Sequence, residues 1–197
     1  MCRYKDYEGD GRKSCIELGH LLPCLLFSTM IPVGLEIAKL KNIKMLVLDV
    51  DGVLTDTRLW FDGKEWRRLF SIRDGVGIKR LIESGYTLAV ITGSKAEDIR
   101  ARVKSLGIQY FYEGALDKEP SFLQLQKDSG IQPEEMAYIG DDIFDIPMIE
   151  EVAFGATVPE AVDEVLEVAD YVTRRPGGLG AVREICDYIY KYGAFSR

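Results

Sequence analysis

The chain of 197 residues is long enough for one domain with a sizeable core and too short for two ordinary ones. With 47% apolar and 29% charged residues it has a soluble globular composition, and its net charge of -7 offers no broad electrostatic basis for binding nucleic acid. Its single histidine, His20, and its four cysteines (Cys2, Cys15, Cys24 and Cys186), among which there is no C-x-x-C pair, argue against a histidine base, a Ser-His pair, a zinc knuckle or a disulfide framework. Carboxylate chemistry remains, and a reducing cytoplasm fits.

In chain order, residues 1–29 come first. Arg3, Lys5, Arg12 and Lys13 precede an apolar run at 21–33, as in a secretory signal. The run is broken by Pro23 and Pro32, is too short to span a bilayer and has no A-x-A-like site after it. The expectation is a disordered extension or an overextended start, with Met30 as an alternative start, set against a targeting or anchoring segment. Residues 30–197 are expected to form one domain.

From residue 34 onward β-branched runs alternate with helical ones, the pattern of an α/β fold with a mainly parallel sheet. Strands are expected at 44–49, 87–92, 109–112, 136–140, 153–156 and 171–173. Helices are expected at about 74–84, 95–106, 118–129, 143–152, 160–168 and 181–190. Between the first strand and the first of these helices, Leu59-Trp60-Phe61, then Asp62-Gly63, then 66–70 reads as a short β-hairpin that can fold over the strand's carboxyl end as a flap.

In open parallel sheets the ligand crevice lies beyond the carboxyl ends of the strands, and polar residues collect there repeatedly in this sequence. The first strand ends in Asp49-Val50-Asp51-Gly52, the second in Thr92-Gly93-Ser94, Lys118 follows the third, and Asp141-Asp142 with Asp145 follows the fourth. Any one of these can be a turn, a helix cap or a solvated charge. Together and in this order they point to one crevice assembled from four strand ends.

That order, DxDGV, then TG, then Lys, then GDDxxD, resembles the haloacid dehalogenase superfamily, whose fold is a Rossmann-like three-layer sandwich. The resemblance implies a phosphatase in which Asp49 attacks phosphorus to form an aspartyl phosphate. Asp51 then protonates the leaving oxygen and later activates water. It also implies Mg2+ held by Asp49, the Asp51 carbonyl and Asp141, and phosphoryl oxygens bound by Thr92, Gly93 and Lys118. Asp142 and Asp145 would orient the metal site and Lys118. Two other classes compete. A response-regulator receiver needs an Asp ending the third strand, which 109–114 lacks, and an inactive oligomerisation module would ordinarily have lost Asp49, Asp51, Lys118 or Asp141.

No large cap insertion is present, so a monomer's site would be open to water, and a neighbouring subunit is the economical closure. The stretch 33–192, above all Thr173-Arg174-Arg175-Pro176-Gly177-Gly178-Leu179-Gly180, resembles the capless, homotetrameric 3-deoxy-D-manno-octulosonate 8-phosphate (KDO 8-phosphate) phosphatases. That likeness implies release of phosphate and KDO for lipopolysaccharide precursor synthesis. It also implies contacts to an anionic sugar acid from Ser71, Ile72, Arg73, Asp74, Gly75, Lys79, Ser94 and Arg102. Closure of a neighbour's site would fall to Arg174, Arg175, Gly177, Gly178 and Gly180. Three positions depart from the family pattern: Thr57 for Gly, Lys79 for Arg, and Ser94 for Arg. The last leaves 2-keto-3-deoxynonulosonate 9-phosphate and N-acylneuraminate 9-phosphate as alternative substrates.

Overall fold

The structure, a computed structural model, describes residues 34–196; the expectations for 1–29 lie outside the described residues. A short helix α1 (Ile37–Leu40) leads into β1 (Met45–Leu48), followed by the hairpin β2 (Trp60–Phe61) and β3 (Trp66–Arg67). Then come α2 (Ile72–Glu83), β4 (Thr87–Thr92), α3 (Glu97–Leu106), β5 (Tyr110–Glu113), α4 (Glu119–Ser129), β6 (Met136–Ile139) and α5 (Ile146–Glu151). The chain finishes with β7 (Phe154–Thr157), α6 (Asp163–Val168), β8 (Tyr171–Val172) and α7 (Ala181–Tyr192).

Six strands form one sheet in the order β5-β4-β1-β6-β7-β8, and every pairing in it is parallel. Crossover helices cover both faces of such a sheet, which is why β1 reads Met-Leu-Val-Leu without a polar residue and all four side chains are buried. The chain moves to one side of β1 for β4 and β5, then to the other for β6. β1 therefore sits at the topological switch point, where adjacent connections part and leave a crevice. Asp49 is the next residue, and its amide continues the ladder by donating to the Ile139 carbonyl (3.0 Å).

Most boundaries shift by a residue or two from the sequence reading, α3 starting at Glu97 and α7 ending at Tyr192, and three of the shifts are instructive. The expected helix 143–152 is a single 3-10 turn (Ile143–Asp145) running into α5, because Pro147 fits only the first turn of a helix and Asp142 caps the preceding turn through the Ile143 amide (2.7 Å). Helix α6 starts at Asp163 instead of 160: Val162 is its N-cap, in an extended conformation (φ -64°, ψ 152°), and its amide, which the helix leaves free, donates to the Asp141 carbonyl (3.1 Å). Helix α2 starts two residues early: Ser71 caps it by accepting from the Asp74 amide (3.3 Å), so 72–75 form its first turn.

The hairpin is small. Asp62 organises its turn, accepting from the Lys64 and Glu65 amides at 2.8 and 2.9 Å, and Phe61 packs on Trp66 with ring centroids 5.3 Å apart. Leu59, Trp60, Phe61 and Trp66 all remain exposed.

Candidate active site

Asp49 is placed by the end of β1, and the loop after it is wound around one acceptor. The amides of Val53, Leu54 and Thr55 all donate to the Val50 carbonyl (3.3, 2.9 and 3.1 Å), which folds Asp51 back over the crevice. Gly52 makes this turn with φ +91°, a conformation glycine adopts without a steric penalty. Lys118 is the N-cap residue of α4, and its ammonium donates to Asp49 Oδ1 (2.7 Å) and Asp145 Oδ1 (2.6 Å). Asp145 is fully buried and saturated: Tyr138 donates to the same Oδ1 (2.5 Å), while Oδ2 accepts from the Asp141 and Asp142 amides (3.1 and 3.2 Å). Thr92, 1% exposed, accepts from the Ser94 amide at 3.2 Å, which leaves its hydroxyl hydrogen free to donate. Asp49, Asp51, Thr92, Gly93, Ser94, Lys118, Asp141, Asp142 and Asp145 all line one cavity of about 350 Å3, so the four strand ends do converge.

The charges in this cavity do not balance. Carboxylate oxygens of Asp49, Asp141 and Asp145 lie within 4.8 Å of one another, with Lys118 the cation among them. Burial, followed by repulsion from Asp145, pushes the Asp141 carboxyl up to about 7. Burial also pushes Asp49 up to about 8, with Lys118 opposing and Asp145 adding to the rise. Lys118 loses some basicity to burial, but Asp49 and Asp145 outweigh that and hold its ammonium protonated. Oxygen donors crowded this closely, with negative charge to spare, suit a hard divalent cation. Asp49 and Asp141 fit the role of ligands. Asp145, whose oxygens are already taken by Lys118, Tyr138 and two amides, fits that of a support. The Asp141 carboxylate rests against Gly52, where a Cβ would stand 1.8 Å from Oδ2.

Asp51 has a different setting. Burial would raise its carboxyl, but hydrogen bonds from Arg68 and Ser94 prevail and lower it. Arg68 follows the hairpin strand β3, and no motif singles it out in the sequence. Tyr138, beneath Asp145, was equally hidden, since an aromatic in a buried strand reads as core.

Other expected residues are placed elsewhere within the chain. Asp74, in the first turn of α2, is buried and accepts from the Arg183 amide of α7 (2.7 Å), Arg102 donates to the Ser71 carbonyl (2.8 Å), and Lys79 is exposed. A Cβ on Gly75 would stand 2.6 Å from the Arg102 guanidinium. Arg73 faces a separate cavity of about 480 Å3 with Arg174, Arg175 and Arg183. None of 71–75, Lys79 or Arg102 lines the cavity at Asp49. The glycine-rich tail packs on its own chain: the Gly178 amide donates to the Val53 carbonyl (2.9 Å), and a Cβ on Gly177 would stand 1.7 Å from the Gly52 carbonyl oxygen. Close approach to the loop carrying Asp51 thus accounts for Gly177 and Gly178 within one chain. Arg174 is engaged with the buried Glu184 at 3.1 Å. Asp142 is exposed and serves as a cap.

A parallel sheet with Asp-x-Asp at its switch point, answered by a lysine and a buried aspartate from other strand ends, is the architecture of the haloacid dehalogenase-like hydrolases, and the family profile of that description matches residues 111–183. The 3-deoxy-D-manno-octulosonate 8-phosphate phosphatase KdsC of Escherichia coli (strain K12) is 43% identical over 154 residues, 78% of this chain and 82% of its own. The crystal structure of the same-named phosphatase from Moraxella catarrhalis, in complex with magnesium, phosphate and KDO, superposes with a TM-score of 0.77 at 38% identity, covering 80% of this chain and 91% of that one. The cobalt-bound Haemophilus influenzae phosphatase gives 0.75 at 40% identity, covering 78% and 91%. This chain belongs to the 3-deoxy-D-manno-octulosonate 8-phosphate phosphatase family of haloacid dehalogenase-like hydrolases.

Proposed function

We propose that the chain is a Mg2+-dependent phosphoric monoester hydrolase that converts KDO 8-phosphate to KDO and phosphate, with Asp49 as its nucleophile. The observation that carries this reading is Asp49 at the switch point, held by Lys118 at 2.7 Å in a carboxylate cluster with charge to spare. Asp49 attacks phosphorus as the bond to the sugar oxygen breaks, and Asp51 gives that oxygen its proton. In the second half, Asp51 takes a proton from water as the water oxygen attacks the aspartyl phosphate and frees Asp49. Lys118, the Thr92 hydroxyl and the Gly93 amide are positioned to offset charge on the phosphoryl oxygens. Asp49, Asp141 and the Asp51 carbonyl would hold Mg2+, which when bound would supply further charge compensation and keep Asp49 ionised.

A homotetramer fits this reading. Of 71–75, Lys79 and Arg102, the exposed members Ile72, Arg73 and Lys79 are free to meet a sugar acid outside the cavity at Asp49, and a subunit boundary would bring them to one, whereas Asp74 and Gly75 are buried within the chain. The exposed apolar side chains Leu59, Trp60, Phe61, Trp66, Leu69 and Ile72 supply surface for such contacts. Arg175 and the tail are then candidates to complete a neighbour's site. Among the described residues no helix is long and apolar enough to cross a membrane, which is compatible with a cytoplasmic enzyme.

Ser94 favours a second substrate class, since its hydroxyl donates to Asp51 at 2.6 Å at a position where the family resemblance implies arginine. The test is phosphate release from KDO 8-phosphate, 2-keto-3-deoxynonulosonate 9-phosphate and N-acylneuraminate 9-phosphate, with and without Mg2+. KDO 8-phosphate should give the highest kcat/KM, and Asp49→Asn should abolish turnover while keeping the fold. Preference for a nine-carbon acid would reassign the substrate, and an active Asp49→Asn enzyme would remove the nucleophile.

A further inference from the structure

Arg67 and Arg68 are neighbours in sequence and opposite in circumstance. Alternation along an extended strand sends Arg67 to the surface, where it pairs with Asp62 and Glu65, and turns Arg68 inward, where only 8% of its side chain is exposed. Its guanidinium forms a fork on Asp51, Nε to Oδ1 at 2.5 Å and Nη2 to Oδ2 at 3.0 Å. The same Nη2 donates to the Ser94 hydroxyl (3.1 Å), and that hydroxyl donates onward to Asp51 Oδ2 (2.6 Å). Asp98, on the first turn of α3, holds the arginine from behind: its carboxylate accepts from the Arg68 amide at 2.8 Å and from Nη1 at 3.3 Å.

Pinning the hairpin to the domain requires only Asp98. The fork on Asp51 is an additional commitment, and it withdraws a guanidinium from water for a carboxylate whose own side chain is 38% exposed. Without the fork, Asp51 would be free to turn in the open crevice. With it, three of the roughly four lone-pair positions of the carboxylate are occupied, two on Oδ2 and one on Oδ1. The remaining position is on Oδ1. Arg68 does not itself line the cavity at Asp49, so any effect on chemistry passes through Asp51 and through Ser94, whose hydroxyl it also holds on Asp51.

We infer that Arg68 is a positioning residue for the reaction: the hairpin delivers it to lock the Asp51 carboxyl group, so that Oδ1 is the atom that exchanges protons with the leaving oxygen and with the attacking water. This rests on the acid-base reading of Asp51 given above. It gives the hairpin, none of whose residues lines the cavity at Asp49, a task in its own subunit.

The test compares Arg68→Ala, Arg68→Lys and Asp51→Asn in the full-length, Mg2+-loaded enzyme, with the sugar-acid phosphate and with p-nitrophenyl phosphate. On the sugar-acid phosphate, Arg68→Ala should lose about 10- to 100-fold in kcat while KM stays within about threefold, because orientation and not ground-state binding is removed. p-Nitrophenolate needs no proton to leave. Rapid mixing with p-nitrophenyl phosphate should therefore give a burst approaching one equivalent per subunit in Arg68→Ala, as the aspartyl phosphate accumulates behind a slowed water step. Arg68→Lys, which keeps the charge and loses the fork, should recover part of the kcat. Melting curves identify folded variants, and Arg68→Lys carries the test if the alanine variant does not fold. Wild-type kcat in the folded Arg68 variants, or equal slowing of the phosphorylation and water steps with p-nitrophenyl phosphate, would overturn the inference. If Asp51→Asn is inactive while Arg68 variants turn over normally, only the role of Arg68 fails; if Asp51→Asn is active, the acid-base reading fails as well.

Discussion

Replacing Gly52 by alanine should damage metal binding far more than it damages the fold. Gly52 lies between the two aspartates of the Asp49-Val50-Asp51 segment and Asp141, at φ +91°. An alanine in that conformation costs about 1–2 kcal/mol, which for a domain of this size lowers Tm by about 2–8 °C. The second effect is local. The new Cβ would stand 1.8 Å from Asp141 Oδ2, whereas ordinary contact begins at 3.4 Å, so the carboxylate must retreat. The difference is about 1.6 Å, well beyond what a close-packed contact absorbs. Retreat of a ligand by that distance should raise the Mg2+ concentration for half-maximal activity by about 10- to 100-fold and lower kcat by up to about 100-fold. The assay is phosphate release against Mg2+ concentration, with a melting curve on each preparation. A Gly52→Ala enzyme that keeps both the wild-type Mg2+ dependence and kcat would refute the argument that Asp141 holds the metal from its position against Gly52.

Metal-free protein should lose stability as pH rises from about 4 to 8, since Asp49 and Asp141 bind their protons more tightly when folded (about 8 and about 7, against 3.8 in the free side chain) and the unfolded chain releases them first. Added Mg2+ should raise Tm most at the alkaline end, and a Mg2+ effect that is the same at pH 5 and pH 8 would contradict this. Thr57 is the one non-glycine with positive φ among the described residues (+66°), so Thr57→Gly should stabilise by roughly 0.5–1 kcal/mol, the left-handed penalty less the entropy of glycine. An unchanged or lowered Tm on thermal denaturation would count against strain there. Arg175→Ala is the cleaner probe of neighbour-site closure, because Arg174 is already bound to Glu184. It should leave the oligomeric state by light scattering unchanged and reduce kcat/KM for the sugar-acid phosphate more than for p-nitrophenyl phosphate, whereas equal kcat/KM values with both substrates would exclude a role in closure.

Much of the cavity at Asp49 was legible because Asp49, Thr92 and Asp141 stand at or near strand ends, with Lys118 in the loop that follows β5. Asp49, Thr92, Lys118 and Asp141 come just after hydrophobic stretches that parallel packing buries on both faces, and a parallel sheet must present such positions at one edge. The same local logic recovered the six strands of the sheet and the hairpin. It erred at 143–152 and 160–168, where Pro147 and the extended backbone of Val162 mark the helix starts.

What the sequence could not reveal depends on contacts between distant segments. Arg68 and Asp51 are brought together by the fold of the hairpin, Tyr138 reaches Asp145 through the interior, and Gly177 meets Gly52 only because the tail returns to the first loop. None of these pairs has a spacing that recurs or a residue type that betrays its partner. The sequence by itself determined the order of strands and helices and the set of carboxylates, because periodicity and strand-end position are local properties. Only the tertiary structure decided which of two adjacent arginines turns inward, which carboxylate oxygens are already taken, and why the tail requires glycine, because hydrogen-bond saturation and close approach are properties of packed surfaces.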